Sequence, residues 1–231
     1  MNGLIQVAGI IDSEEAEMLM NLGVDYLGFP LRLPVNKDDL IEEEAVKVIK
    51  DIVLPHKPVL ITYLDKASEI IEFCDKLNVK IVQLHGHILI EELKKLKTSR
   101  PDIEIIKSLV VYQDNYSELN SIVQNLSEWV DLFITDTYDP ATGASGATGK
   151  THDWKISSRL IEVSPKPVIL AGGLNPSNVR RAIFQIKPAG VDVHTGVESA
   201  DGRKDYILVR NFVREAKDAF DEINSTPEIN N

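Results

Sequence analysis

The stretch "KPVILAGGLNPSNVRRAIFQIKPAGVDVHTGVES", residues 166–199, holds one full period of the pattern that organises this chain. It opens on a continuous apolar run, 166–172, and breaks at the pair Gly172-Gly173. It then passes through a segment with helical spacing of apolar residues and returns to a second apolar run, 190–195, which stops at Gly196. Runs that are apolar at consecutive positions suit parallel strands buried on both faces. Parallel neighbours need a crossover of a dozen or more residues, and the amphipathic segment between the two runs supplies it. Asn175-Pro176 ahead of "SNVRRAI" has the composition of a helix start.

Working outward from this unit, the same alternation fills the chain. Strand-like runs fall at 4–10, 24–29, 57–63, 79–84, 103–110 and 130–135, in addition to the two above. Between them lie helical patterns such as "SEEAEMLMNL", "EEEAVKVIKDI", "ASEIIEFCDKL" and "SELNSIVQNL", the first with a start at Ser13 followed by Glu14 and Glu15. Eight strand–helix units in about 220 residues predict an α/β chain folded as a single (β/α)8 TIM barrel. A doubly wound open sheet is the alternative, but that fold rarely fits eight units into such a length. The barrel is expected over 1–223, with 224–231 a polar, disordered tail.

Composition narrows the function classes. The 231 residues are 43% hydrophobic and carry a formal charge of −11, which repels nucleic-acid phosphates. No run approaches the roughly 20 apolar residues of a membrane span, and the N-terminus has no basic-then-apolar leader pattern. The single cysteine, Cys74, sits in a helical pattern as a small core or boundary residue and has no partner for an internal disulfide. These features predict a cytoplasmic protein with no nucleic-acid or membrane partner, as a monomer or homodimer.

In such a barrel the chemistry lies where the strands end. Glycines after the seventh and eighth runs let backbone N–H groups approach an anion, so Gly172, Gly173, Thr195 and Gly196 form a candidate phosphate site. The bland reading is that these glycines only permit tight turns. Asp136 ends the apolar strand "DLFIT"; burial there would raise its pKa into the range of a general acid or base, and the bland reading is a cap or loop hydrogen bond. His85, in "QLHG", is either a hydrogen-bonding structural residue or a contact for a ligand. With His87 it has the spacing of some metal pairs, but no carboxylate or cysteine cluster completes a site, so no metal and no cofactor is expected.

One segment imitates a nucleotide site. "GASGATGKT", 143–151, reads almost like a phosphate-binding P-loop, yet five residues separate Gly143 from Gly149 and the fitting register puts Ala144 where glycine belongs. The loop is expected to overhang the barrel mouth instead.

Taken together, "QLHG", "DTYDPATGASGATGKTHDW", "LAGGLNPSNVRRAI" and "GVDVHTGVESADGRKD" resemble the motifs of the phosphoribosylanthranilate isomerase family, and the similarity runs over nearly the whole chain. The resemblance implies a tryptophan-pathway enzyme that converts an aminoaldose phosphate into an aminoketose phosphate (an Amadori rearrangement) without cofactor or metal. It implies that Asp136 is the general acid that opens the ribose ring, and that the turns at Gly172, Gly173, His194, Thr195 and Gly196 hold the phosphate. Gln83, His85, Arg32 and Lys150 are the candidate substrate contacts.

The chain also departs from the family pattern where the chemistry lies. "IQVAGI" stands for "KICGI", so Gln6 replaces a lysine and Ala8 replaces the cysteine that serves as general base. The family's arginine after the second strand is matched by Asp38, with Arg32 and Lys37 nearby but out of register. His194 stands where the family has a small hydroxyl residue, and His194, His85 and Asp139 are the candidate replacement bases, with His194 preferred. The resemblance thus leaves two readings: an isomerase with a relocated base, or a non-catalytic or repurposed binder of a phosphorylated sugar.

Overall fold

The computed structural model describes residues 3–34, 40–112, 114–139, 144–145 and 154–225. Its strands are β1 (Leu4–Ala8), β2 (Tyr26–Pro30), β3 (Lys57–Thr62), β4 (Ile81–Leu84), β5 (Glu104–Val111), β6 (Leu132–Asp139), a two-residue β7 (Ala144–Ser145), β8 (Val168–Leu170) and β9 (Gly190–Val193). Neighbours pair in parallel from β1 through β6 and on through β8 and β9, and β9 pairs back onto β1, which closes the ring. β7 stands outside it, paired antiparallel with the end of β6. The eight ring strands and their helices make a single (β/α)8 barrel.

The helices are α1 (Ser13–Leu22), α2 (Glu42–Lys50), α3 (Ala67–Leu77), α4 (Ile90–Ser99), α5 (Tyr116–Leu126), α6 (Trp154–Val163), α7 (Val179–Ile186) and α8 (Tyr206–Ser225). Two boundaries differ from those read in the sequence, whereas α1 spans the stretch from Ser13 read for it. The carboxylate of Asp12 caps α1, accepting from the backbone N–H of Glu15 at 2.9 Å. α7 begins at Val179 because residues after Asn175 first form a turn, in which Asn178 and Val179 donate to the Asn175 carbonyl. α8 runs to Ser225, two residues into the stretch read as tail.

Strand parity divides the apolar residues into two layers. One set, including Ile5, Val7, Leu27, Leu60, Val82, Ile105, Phe133, Leu170 and Val191, packs outward against the helices. The alternate set, Leu4, Ala8, Tyr26, Val59, Ile61, Ile81, Ile106, Leu132, Ile134, Ile169 and Ala171, fills the barrel interior. Cys74 is fully buried in the outer layer, and burial pushes its thiol up to about 12, where it is inert.

Candidate active site

The same parity that fills the barrel interior with aliphatic residues also aims polar ones into it. Gln6 lies between Leu4 and Ala8, Gln83 and His85 follow Ile81, Asp136 follows Ile134, and Asp192 shares the register of Gln6 across β1 and β9. These five side chains come from the C-terminal halves of four strands and meet below the barrel mouth. They are linked: Gln6 Nε2 donates to Gln83 Oε1 at 2.8 Å, and Gln83 Nε2 lies 2.8 Å from His85 Nε2. His85 Nδ1 lies 3.4 Å from Asp136 Oδ2, and Tyr63 stacks on the His85 ring with centroids 5.4 Å apart.

Asp136 is 7% exposed, and desolvation raises its pKa to about 7. The Thr137 N–H, 2.7 Å from Oδ1, opposes that rise, and the carboxyl of Asp192 adds to it. Asp192 is raised to about 7 by the same burial, partly offset by a hydrogen bond from Gln6 and the charge of Lys204. His85 is driven the other way, to about 3, by burial and then by the nearby Lys107 ammonium. The contact of His85 with Asp136 is therefore not an ion pair at neutral pH: the imidazole is neutral and the carboxyl is poised to hold or release a proton.

His194, at the end of β9, lies over the end of β1. A Cβ placed on Gly9 would meet His194 Nε2 at 2.1 Å, so the glycine next to Ala8 makes room for the ring. Val7 pairs with Val193, and carrying that register one residue further sets His194 beside Ala8. Glu198 Oε1 is 3.3 Å from His194 Nε2 and accepts from the fully buried Lys204 ammonium at 2.6 Å. Burial, aided by the Lys204 charge, lowers the His194 pKa to about 3, which keeps the ring neutral.

The glycine turns above β8 and β9 touch each other. Gly172 and Gly173 both have positive φ, 101° and 64°, a conformation that side chains with a Cβ rarely adopt. Gly196, in a single 3-10 turn with Thr195 and Val197, leaves no space for a side chain: a Cβ there would meet the Leu174 carbonyl oxygen at 1.9 Å. The Asn178 amide ties the first turn down by donating to the Gly173 carbonyl at 3.0 Å.

Arg32 is not brought to this cluster. Its guanidinium donates to Glu42 of α2 at 2.8 Å and lies 3.8 Å above the Phe73 ring of α3, so it is committed to the helix layer. The expected contact of Arg32 with substrate has no support in this arrangement. Lys150, Lys37, Asp38 and most of the "GASGATGKT" loop lie outside the described residues, as does the side chain of Asp139. Asp192, Tyr63, Glu198 and Lys204 are the members that sequence reading missed. The signal for Asp192 was present: a carboxylate inside the otherwise apolar strand "GVDV" has to face the barrel interior or the helices, and either place is buried.

Residues 5–215 match the family model described as N-(5'-phosphoribosyl)anthranilate (PRA) isomerase. The chain is 37% identical over 217 residues to N-(5'-phosphoribosyl)anthranilate isomerase 2 of Methanosarcina mazei, covering 94% of this chain and 95% of that protein. It is 32% identical over 222 residues to the isomerase of Methanosarcina acetivorans, with 92% of each covered. Among solved structures, the phosphoribosyl anthranilate isomerase of Thermotoga maritima is 29% identical, with a TM-score of 0.79 over 94% of this chain and all of that one. A phosphoribosyl anthranilate isomerase solved with reduced 1-(o-carboxyphenylamino)-1-deoxyribulose 5-phosphate is 26% identical, with a TM-score of 0.77 over 94% of this chain and 100% of that one.

Proposed function

The chain belongs to the N-(5'-phosphoribosyl)anthranilate isomerase family, and from that premise we propose that it isomerises N-(5'-phosphoribosyl)anthranilate in the tryptophan pathway, with Asp136 as general acid and His194 as proton acceptor. The observation that carries this reading is the Asp136 carboxyl, desolvated in the C-terminal half of β6 with its pKa raised to about 7. A proton donor works best when its pKa lies near the working pH, and an ordinary aspartate is too acidic for the task.

In this reading Asp136 gives its proton to the ribose ring oxygen. The ring C–O bond breaks as the anilino nitrogen pushes its lone pair toward C1, giving an iminium ion. Loss of the C2 proton to His194 then moves the electron pair into an enamine, which tautomerises to the aminoketose. The Glu198 carboxylate orients His194 through Nε2 and stabilises the imidazolium as it forms. A neutral imidazole of such low pKa accepts a proton only with that help. The substrate phosphate is held by the Gly172-Gly173 turn and the Thr195-Gly196 turn, whose close contact gathers backbone N–H groups at one place.

Turnover by the wild type, Asp136→Asn and His194→Gln tests the assignment. Loss of a positioned acid or base costs about 10² to 10⁴ in rate, so both variants should fall by that order. Wild-type rates in either variant would refute the role given to that residue. One observation favours a second reading, a phosphate-sugar binder without turnover: the methyl of Ala8 accepts no proton. That reading predicts an inactive wild type and an active Ala8→Cys variant.

A further inference from the structure

Gln6 is the single polar residue of β1, and its hydrogen bonds run in one direction only. Its Nε2 donates to Gln83 Oε1, and its side chain also faces the Asp192 carboxyl. Its own Oε1 meets no donor. Turning this amide alone would set its carbonyl against Gln83 Oε1. With Gln6 as the donor, the next link follows. Gln83 Oε1 is taken by Gln6, so the NH2 end faces His85 Nε2 at 2.8 Å. A nitrogen that receives a hydrogen bond is the lone-pair nitrogen, and a neutral imidazole then carries its one proton on the other. That other nitrogen, Nδ1, is the one 3.4 Å from Asp136 Oδ2.

We propose that Gln6 is a positioning residue for the isomerisation: acting through Gln83, it holds His85 as the Nδ1–H tautomer and turns that proton toward the Asp136 carboxyl. The separation of 3.4 Å is long for a hydrogen bond, and such contacts tighten when substrate closes the site. An N–H aimed at a carboxyl favours its ionised form. The Thr137 N–H on β6 acts against burial and against Asp192 from β9, and the His85 N–H adds to it when it closes on the carboxyl, while Tyr63 stacks behind His85 and burial, with the Lys107 ammonium of β5, keeps the ring neutral. The balance keeps Asp136 a donor that can still give up its proton. The tautomer assignment stands by itself; its kinetic consequence rests on Asp136 being the acid.

Long-range 1H–15N spectra of the full chain, labelled at its five histidines, report which ring nitrogen bears the proton. His85 is identified by its loss in His85→Gln. The wild type is expected to show His85 protonated at Nδ1. Gln6→Met, which removes the donor, should give a mixture or the Nε2–H form, and Gln6→Lys, which keeps a donor, should restore the wild-type pattern. In Gln6→Met the fall of kcat/KM at high pH should move up by about one pH unit, the effect of one hydrogen bond to a carboxylate. A wild-type ring protonated at Nε2, or an unchanged tautomer in Gln6→Met, overturns the proposal. A changed tautomer with an unmoved pH limb overturns the catalytic link and counts against Asp136 as the acid.

Discussion

Asp136 holds two properties that pull against each other. The burial that makes it a proton donor also makes its ionised form expensive to keep in the fold. The sign follows from the two pKa values: about 7 in the folded chain against 3.8 for the free group. Folding is penalised as pH rises from about 4 to 7, and the penalty is full above pH 7 and absent below 3.8. Asp136→Asn should therefore melt higher than the wild type at pH 8 and equally at pH 3.5. The gain should be about 2–4 °C for each kcal/mol recovered in a chain of this size. Thermal unfolding at the two pH values checks it, and a variant that melts lower at pH 8 would show that the native carboxyl is not desolvated. At the same scale, Glu198→Gln should lower kcat by about tenfold or more through loss of the imidazolium's partner, with little change in KM. Sequence reading reached Asp136 because an acidic residue closing an apolar run stands out. It missed the link from Gln6 through Gln83 to His85, since hydrogen bonds between strands 77 positions apart leave no local mark.

The turns carry the next claim. Gly172 and Gly173 are required by backbone conformation, whereas Gly196 is required by its neighbour, the Leu174 carbonyl. Gly196→Ala must push the two turns apart, so the variant should raise KM by about tenfold or more, while a non-phosphorylated ligand of the pocket should bind as before. Binding of inorganic phosphate by calorimetry is the direct check, and an unchanged affinity would move the phosphate elsewhere. These turns were legible in the sequence, because paired glycines after consecutive apolar runs have a conformational cause. The start of α7 was off by four residues for an equally physical reason. The Asn175 turn delayed α7 through side-chain hydrogen bonds that neighbouring residues of similar type could have made.

For the whole molecule, closure of the barrel was legible because its cause is repeated: eight apolar runs, each followed by a helix long enough to cross over. Strand ends were less so, since a strand stops where its neighbour's ladder stops, which no single run can show. The barrel also explains how chemistry spread over residues 6 to 204 meets in one place, each piece carried by a ring strand or the segment that follows it. Among the described residues no helix is long and apolar enough to cross a membrane.

The most direct test of the account is the pH dependence of kcat/KM for N-(5'-phosphoribosyl)anthranilate with the wild-type chain. The account predicts measurable turnover that falls about tenfold per pH unit above pH 7, as Asp136 loses its proton. That limb should disappear in what activity Asp136→Asn retains. No turnover by the wild type at any pH, or turnover that stays level through pH 9, would contradict it.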